Sequence, residues 1–141
     1  MLSLTKIFHF EMAHAIHGYP GGCKNIHGHS YQLQVTVTAN GDCKHFIPSP
    51  GFVLDFKVLK QLVTKGIIQI LDHKLVLSGA YVAQHPAIGS QENLVCWEAE
   101  PTAENLLIYM KDILFESLPD DVKLVRLKLF ETSDSFAEWT P

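Results

Sequence analysis

An α+β fold is predicted by three features of the 141-residue sequence. From His29 onward, Tyr31, Leu33, Val35 and Val37 fall on one parity and Gln32, Gln34, Thr36 and Thr38 on the other. That is the period of a half-buried antiparallel strand. Two later stretches instead repeat apolar residues at helical spacing, and Gly- and Pro-containing turns separate the segments. The length suits a single domain spanning 1–141 with a core of useful size. An apolar fraction of 47% excludes a disordered chain. No run approaches the ~18 apolar residues of a membrane span, and no secretion signal is recognisable at the N-terminus. Three unevenly spaced cysteines do not form a disulfide framework, so a cytoplasmic setting is expected. The net charge of -4 leaves no basic footprint for nucleic acid.

Residues 2–14 read as the first strand. Leu2, Leu4, Phe8, Phe10 and Met12 share one parity, interrupted by Lys6, and His14 closes that apolar face. Residues 17–26 form a turn-rich loop around Gly18, Pro20, Gly21 and Gly22. The next strand carries His27 and His29 on its inward side, since side chains at i and i+2 point the same way. Residues 40–51 connect to a short strand at Phe52-Val53-Leu54, after which Asp55 caps a helix. Phe56, Leu59, Leu62, Val63, Ile67, Ile70 and Leu71 line its apolar side, with Gly66 weakening it, and Asp72-His73 follow. The stretch 77–101 is too long for a structureless connection, and Leu94 to Trp97 suits a short strand. Thr102 caps a second helix with Glu104 in its first turn, an apolar stripe of Leu106, Leu107, Met110, Ile113, Leu114 and Leu118, and Pro119 as the stop. A last strand puts Val125, Leu127 and Leu129 inward and Arg126 and Lys128 outward, with Glu131 on the apolar parity. An inward carboxylate is costly unless something there needs it.

His14, His27 and His29 supply three neutral nitrogens and no obvious fourth ligand, the donor set of an open catalytic metal site rather than a closed structural one. Core-edge histidines satisfied by backbone carbonyls are the bland alternative. Cys23, four residues before His27, reads as a thiol activated to a base or nucleophile, or else as a fourth ligand or an inert residue. Asp72-His73 is either a base with its orienting carboxylate or a solvated acid beside a histidine at a helix end. Glu131 can accept two parallel N–H bonds from a ligand. His9, His17, His45 and His85 are expected in loops or at the surface, Cys43 and Cys96 as bystanders, and Lys24, Lys44 and Lys74 as solvated cations within reach of an anion.

Six motifs then occur in order: Phe10 to His14, Cys23 to Tyr31, Val53 to Phe56, Leu71 to His73, Pro101 to Asn105, and Glu131-Thr132. Together they resemble the 6-pyruvoyltetrahydropterin synthase and 6-carboxytetrahydropterin synthase family nearly end to end. Trp139 stands where that family has a C-terminal tyrosine. The resemblance implies the tunnelling fold, a four-stranded antiparallel sheet with two helices on one face. It also implies trimeric barrels commonly paired as homohexamers, with sites at subunit boundaries. Further implications are Zn2+ on His14, His27 and His29, Cys23 as the catalytic thiol, and Asp72 with His73 as a proton relay. Glu131 with Thr132 would anchor the pterin ring, and Glu104 would support its pocket. The substrate implied is 7,8-dihydroneopterin triphosphate. Three residues between Cys23 and His27 resemble the carboxy enzyme, whose products are 6-carboxytetrahydropterin, acetaldehyde and triphosphate on the queuosine and deazapurine precursor route. The alternatives are the pyruvoyl enzyme, which eliminates triphosphate and keeps the side-chain carbons, and a pterin- or zinc-binding module without turnover.

Overall fold

The computed structural model describes residues 2–41 and 44–141, so Cys43 lies outside the described residues. Two long strands, β1 (Ser3–His14) and β2 (His27–Ala39), pair antiparallel along their whole length, from Ser3 opposite Thr38 to His14 opposite His27. The expected alternation is present in both. Phe8, Phe10 and Met12 of β1 and Tyr31, Leu33, Val35 and Val37 of β2 are buried, while Ser3, Thr5, Ile7, His9 and Glu11 face out. Strand β5 (Val122–Phe130) joins the other side of β2, and β6 (Phe136–Trp139) pairs with β5.

The sheet is larger than the four antiparallel strands expected. It has six strands in the order β4-β3-β1-β2-β5-β6, and it is mixed, because β3 (Lys74–Ser78) runs parallel to the end of β1 and β4 (Leu94–Trp97) parallel to β3. Burial on both faces hides β3 from a period-two reading. Val76 packs into the main core, while Leu75 and Leu77 join Ala15 and Tyr81 in a small second core. The stretch after β3 contains structure, as its length required: α3 (Gly79–Gln84), a 3₁₀ turn (Pro86–Ser90) and β4. Phe52-Val53-Leu54 is not a strand; Val53 and Leu54 form a bend, with Phe52 half exposed. The parity of β5 also changes. A bulge opposite Thr36 and Val37 pairs them with Arg126 and Leu124, so Leu124 and Leu127 are both buried and Val125 is the extra residue.

The helices cover the inward face. Asp55 accepts the Lys57 N–H at 2.8 Å and caps α1 (Phe56–Val63), which continues through a π-helical turn (Thr64–Ile68) into α2 (Gln69–Leu71). Thr102 accepts the Asn105 N–H at 3.3 Å and caps α4 (Ala103–Ser117). Leu59, Val63, Ile67 and Leu71 from one helical run and Leu106, Leu107, Met110 and Leu114 from the other enter one core with the inward residues of β1, β2 and β5. Phe56 and Ile70 lie at the edge of their stripe and remain partly exposed.

Gly66 faces α4, and a Cβ there would stand 2.7 Å from Ile113 Cγ2. That methyl is held by a β-branched side chain with little rotamer freedom in a helix. Overpacking costs about 1–3 kcal/mol, against about 1 kcal/mol of helix propensity gained on replacing Gly by Ala. Gly66→Ala is therefore expected to lower the urea midpoint, and to raise it when made in an Ile113→Ala background. Stabilisation by Gly66→Ala alone would show that this contact does not limit the packing.

Candidate active site

The β1–β2 register builds the centre. His14 ends β1, His27 begins β2 directly opposite, and Met12 faces His29, so two strands bring three imidazoles to one end of the sheet. One ring nitrogen from each of His14, His27 and His29 lies within 4.8 Å of the others. Gly28 lies between the two histidines of β2, and a Cβ there would come 3.4 Å from the Met12 carbonyl.

Backbone carbonyls set the tautomers. His14 Nδ1 lies 2.7 Å from the Pro101 carbonyl and His27 Nδ1 lies 2.8 Å from the Asn25 carbonyl, so each Nδ1 carries the proton and donates. Both Nε2 atoms then present lone pairs, and they face each other 3.0 Å apart. Two facing lone pairs repel unless a cation or an extra proton stands between them. The proton is disfavoured: burial, and then the neighbouring rings, hold His14 below its ordinary value despite the Pro101 carbonyl and Glu131, and burial does the same for His29. Three neutral nitrogens at this spacing fit a tetrahedral dication, whose Zn–N bonds of about 2.0–2.1 Å put ligand nitrogens roughly 3.3 Å apart. Carbonyl-oriented rings are the usual support of such ligands. The bland and the functional readings of His14 and His27 thus meet, since the carbonyls that satisfy Nδ1 are what aim Nε2.

Around this cluster lies a cavity of about 480 Å³ lined by all three histidines, Cys23, Glu104 and Glu131, with Ile16, Tyr19 and Phe136 among its apolar walls. Cys23 is exposed, on a 3₁₀ turn (Gly22–Lys24) in the loop between β1 and β2. Glu131 follows β5; its Oε1 is 3.9 Å from His14 Nε2 and accepts from the Tyr31 hydroxyl at 3.5 Å. Burial, with Glu131 adding to it, pushes the Tyr31 phenol well above its ordinary value and keeps it a neutral donor.

Two of the expected site elements lie elsewhere in the same chain. Helix α2 stops at Leu71, and Asp72 and His73 turn out of it with His73 in the left-handed region at φ 60°. That conformation is uncommon for a residue with a side chain. It brings His73 Nδ1 to 3.0 Å from Asp72 Oδ2, so the adjacent acid and imidazole do pair. Asp72 also accepts the Glu11 N–H at 2.9 Å, and that bond is the main reason its carboxyl lies below the usual range. His73 opens on a separate recess of about 350 Å³ with Glu11, Ser30, Lys74 and Asn93, a recess that shares His29 with the cavity of Cys23. Thr132 lines a third recess, with His9, Gln32 and Glu131, and donates to Asp134 at 2.8 Å. Trp139 packs edge-on against Phe115. Sequence reasoning missed the carbonyls of Asn25 and Pro101 and the role of Tyr31. No motif marks a carbonyl 87 residues away as a ring's acceptor.

Fold and site together define an α+β protein with three imidazoles positioned to hold a metal ion, open to a cavity that also holds a thiol and two carboxylates. The chain belongs to the 6-pyruvoyl tetrahydropterin synthase family, whose match covers residues 3–141. It is 33% identical to the 6-carboxy-5,6,7,8-tetrahydropterin synthase of Rickettsia typhi over 98% of this chain and 99% of the relative. It is 31% identical to the enzyme of the same name from Haemophilus influenzae over 99% of each. Among solved structures, the 6-pyruvoyl tetrahydropterin synthase of Caenorhabditis elegans superposes with a TM-score of 0.71 at 20% identity, covering 99% of this chain and 95% of the other. No helix among the described residues is long and apolar enough to cross a membrane.

The depressed values of His14 and His29 have a sign that can be measured. Below the ordinary 6.5 the unfolded chain binds protons that the folded chain refuses, so stability falls on acidification through that window. The metal-free protein is expected to melt at lower temperature at pH 5.5 than at pH 7.5, and a His14→Gln variant to lose less over the same interval. Asp72 does not interfere, because its contribution is lost only as pH falls from its ordinary 3.8. A wild-type melting temperature unchanged across this interval would contradict the buried, neutral reading of the cluster.

Proposed function

We propose that this protein is a zinc-dependent 6-carboxy-5,6,7,8-tetrahydropterin synthase. It converts 7,8-dihydroneopterin triphosphate and water to 6-carboxytetrahydropterin, acetaldehyde and triphosphate, in the cytoplasm, on the route to queuosine and related deazapurines. The observation that carries this reading is Cys23 on the same cavity as the three converging histidines, in a chain that matches relatives of that name from end to end.

His14, His27 and His29 would hold Zn2+, an ion suited to three imidazole donors with one position left for substrate. When bound there it supplies Lewis-acid chemistry, lowering the pKa of the substrate's side-chain hydroxyls. The chain's own groups do the rest. Cys23, as thiolate, removes a proton from the side chain held against the cluster. His73 keeps the Nδ1 proton on Asp72 and offers Nε2 to carry a proton in or out. Glu131 accepts the paired N–H edge of the pterin, with Thr132 beside it and Glu104 supporting the pocket.

Because Cys23 and His73 line different recesses of one chain, a second copy is proposed to bring its Asp72–His73 pair to the cavity of the first. A homohexamer made of two trimers, with sites at the subunit boundaries, meets that need. The net charge of -4 leaves few cations for a triphosphate, and a boundary site can also borrow lysines from a neighbour.

The test is incubation of the zinc-loaded protein with 7,8-dihydroneopterin triphosphate and identification of the carbon fragments. Acetaldehyde together with 6-carboxytetrahydropterin is expected; triphosphate release with the side-chain carbons retained would identify the pyruvoyl reaction instead. Cys23→Ala is expected to lower kcat by about 10²–10⁴-fold, the usual worth of a positioned acid or base, with zinc content unchanged. His27→Ala is expected to lose the zinc. Equal turnover by wild type and Cys23→Ala would exclude thiol chemistry.

A further inference from the structure

Where β1 ends, the chain enters the loop that carries Cys23, and few bonds hold that loop. Ile16 N–H donates to the Cys23 carbonyl at 2.8 Å and closes the loop on itself. His17 N–H donates to Glu100 Oε2 at 3.1 Å. Among the described residues, this second contact is the one hydrogen bond that ties the loop to anything beyond its flanking strands. Glu100 is itself fixed. Its carbonyl accepts Thr102 N–H and Asn105 Nδ2–H, both at 2.9 Å, which locks it to the first turn of α4. The next residue, Pro101, is buried and gives its carbonyl to His14.

We propose that Glu100 is a positioning residue: with Pro101 it forms a strut that orients His14 through the backbone and pins the Cys23 loop through its carboxylate. Two consecutive residues thereby set the thiol and the metal ligand in one frame. The strut needs no reaction to exist, but its effect on turnover rests on Cys23 being the catalytic thiol. The side chain of Glu100 serves as the acceptor for the loop, since its own carbonyl is already taken by Thr102 and Asn105 and that of Pro101 by His14. Small displacements of a reacting group are expensive, about 10²-fold for roughly 1 Å.

Hydrogen exchange and kinetics on the full-length, zinc-loaded protein test this. In the wild type the His17 amide is expected to exchange at least about tenfold more slowly than an open loop amide. In Glu100→Ala that protection is lost. In Glu100→Gln, whose amide oxygen still accepts, it is largely kept. Zinc content stays unchanged in both. With 7,8-dihydroneopterin triphosphate, Glu100→Ala lowers kcat on the order of 10–100-fold with KM within about twofold, and Glu100→Gln restores most of the rate. A wild-type His17 amide that exchanges freely overturns the proposal without any variant, even if Glu100→Ala fails to fold. So does protection that survives Glu100→Ala, or a Glu100→Gln variant as impaired as Glu100→Ala. Because exchange needs no substrate, absence of turnover with every dihydropterin would count against the assigned reaction and leave the amide protection to decide the strut.

Discussion

Two lone pairs facing each other across 3.0 Å are the constraint on which the rest of this structure turns. They arise because β1 and β2 pair in a register that sets His14 against His27, and because carbonyls from Pro101 and Asn25 hold both rings with Nε2 inward. A one-residue slip of β1 along β2 would undo this, turning Phe10, Met12 and His14 to the outer face while His27, His29 and Tyr31 stayed inward. The apolar alternation that builds the core is therefore also what aims the imidazoles. Burial completes the arrangement by disfavouring the charged forms of His14 and His29.

The divided placement of the remaining groups follows from the same sheet. The cavity of Cys23 lies where the loop between β1 and β2 meets the start of α4, whereas Asp72–His73 leaves α2 beside Glu11, a residue on the outward parity of β1. Opposite parities of one strand thus support the two recesses. His29 borders both recesses and marks where they approach each other.

Much of this was legible in the sequence because it depends on local periodicity. The inward set of β1 and β2, the caps at Asp55 and Thr102 and the apolar stripes of both helical runs need only spacing, and each is present except at Leu2, Phe56 and Ile70, which are exposed. What was not legible depends on neighbours far along the chain. Lys74–Ser78 carries three consecutive apolar residues because cores lie on both its faces, and without alternation it does not announce a strand. The bulge in β5 shifts the inward set after Leu124, which no residue of β5 reveals by itself. The three histidines could be picked out as one site from the shared parity of His27 and His29 together with the position of His14. Their orientation could not, because the Pro101 carbonyl is supplied from 87 residues further along the chain. The Asp72–His73 contact was open to either reading; it depends on a left-handed residue just past the helix end.

Zinc K-edge X-ray absorption on the protein loaded with one equivalent of Zn2+ bears most directly on the centre. A coordination shell of three imidazole nitrogens at about 2.0–2.1 Å with one further light atom is the expected result. A sulfur scatterer at about 2.3 Å would make Cys23 a ligand rather than a free thiol, and the chemistry assigned to this cavity would have to be abandoned.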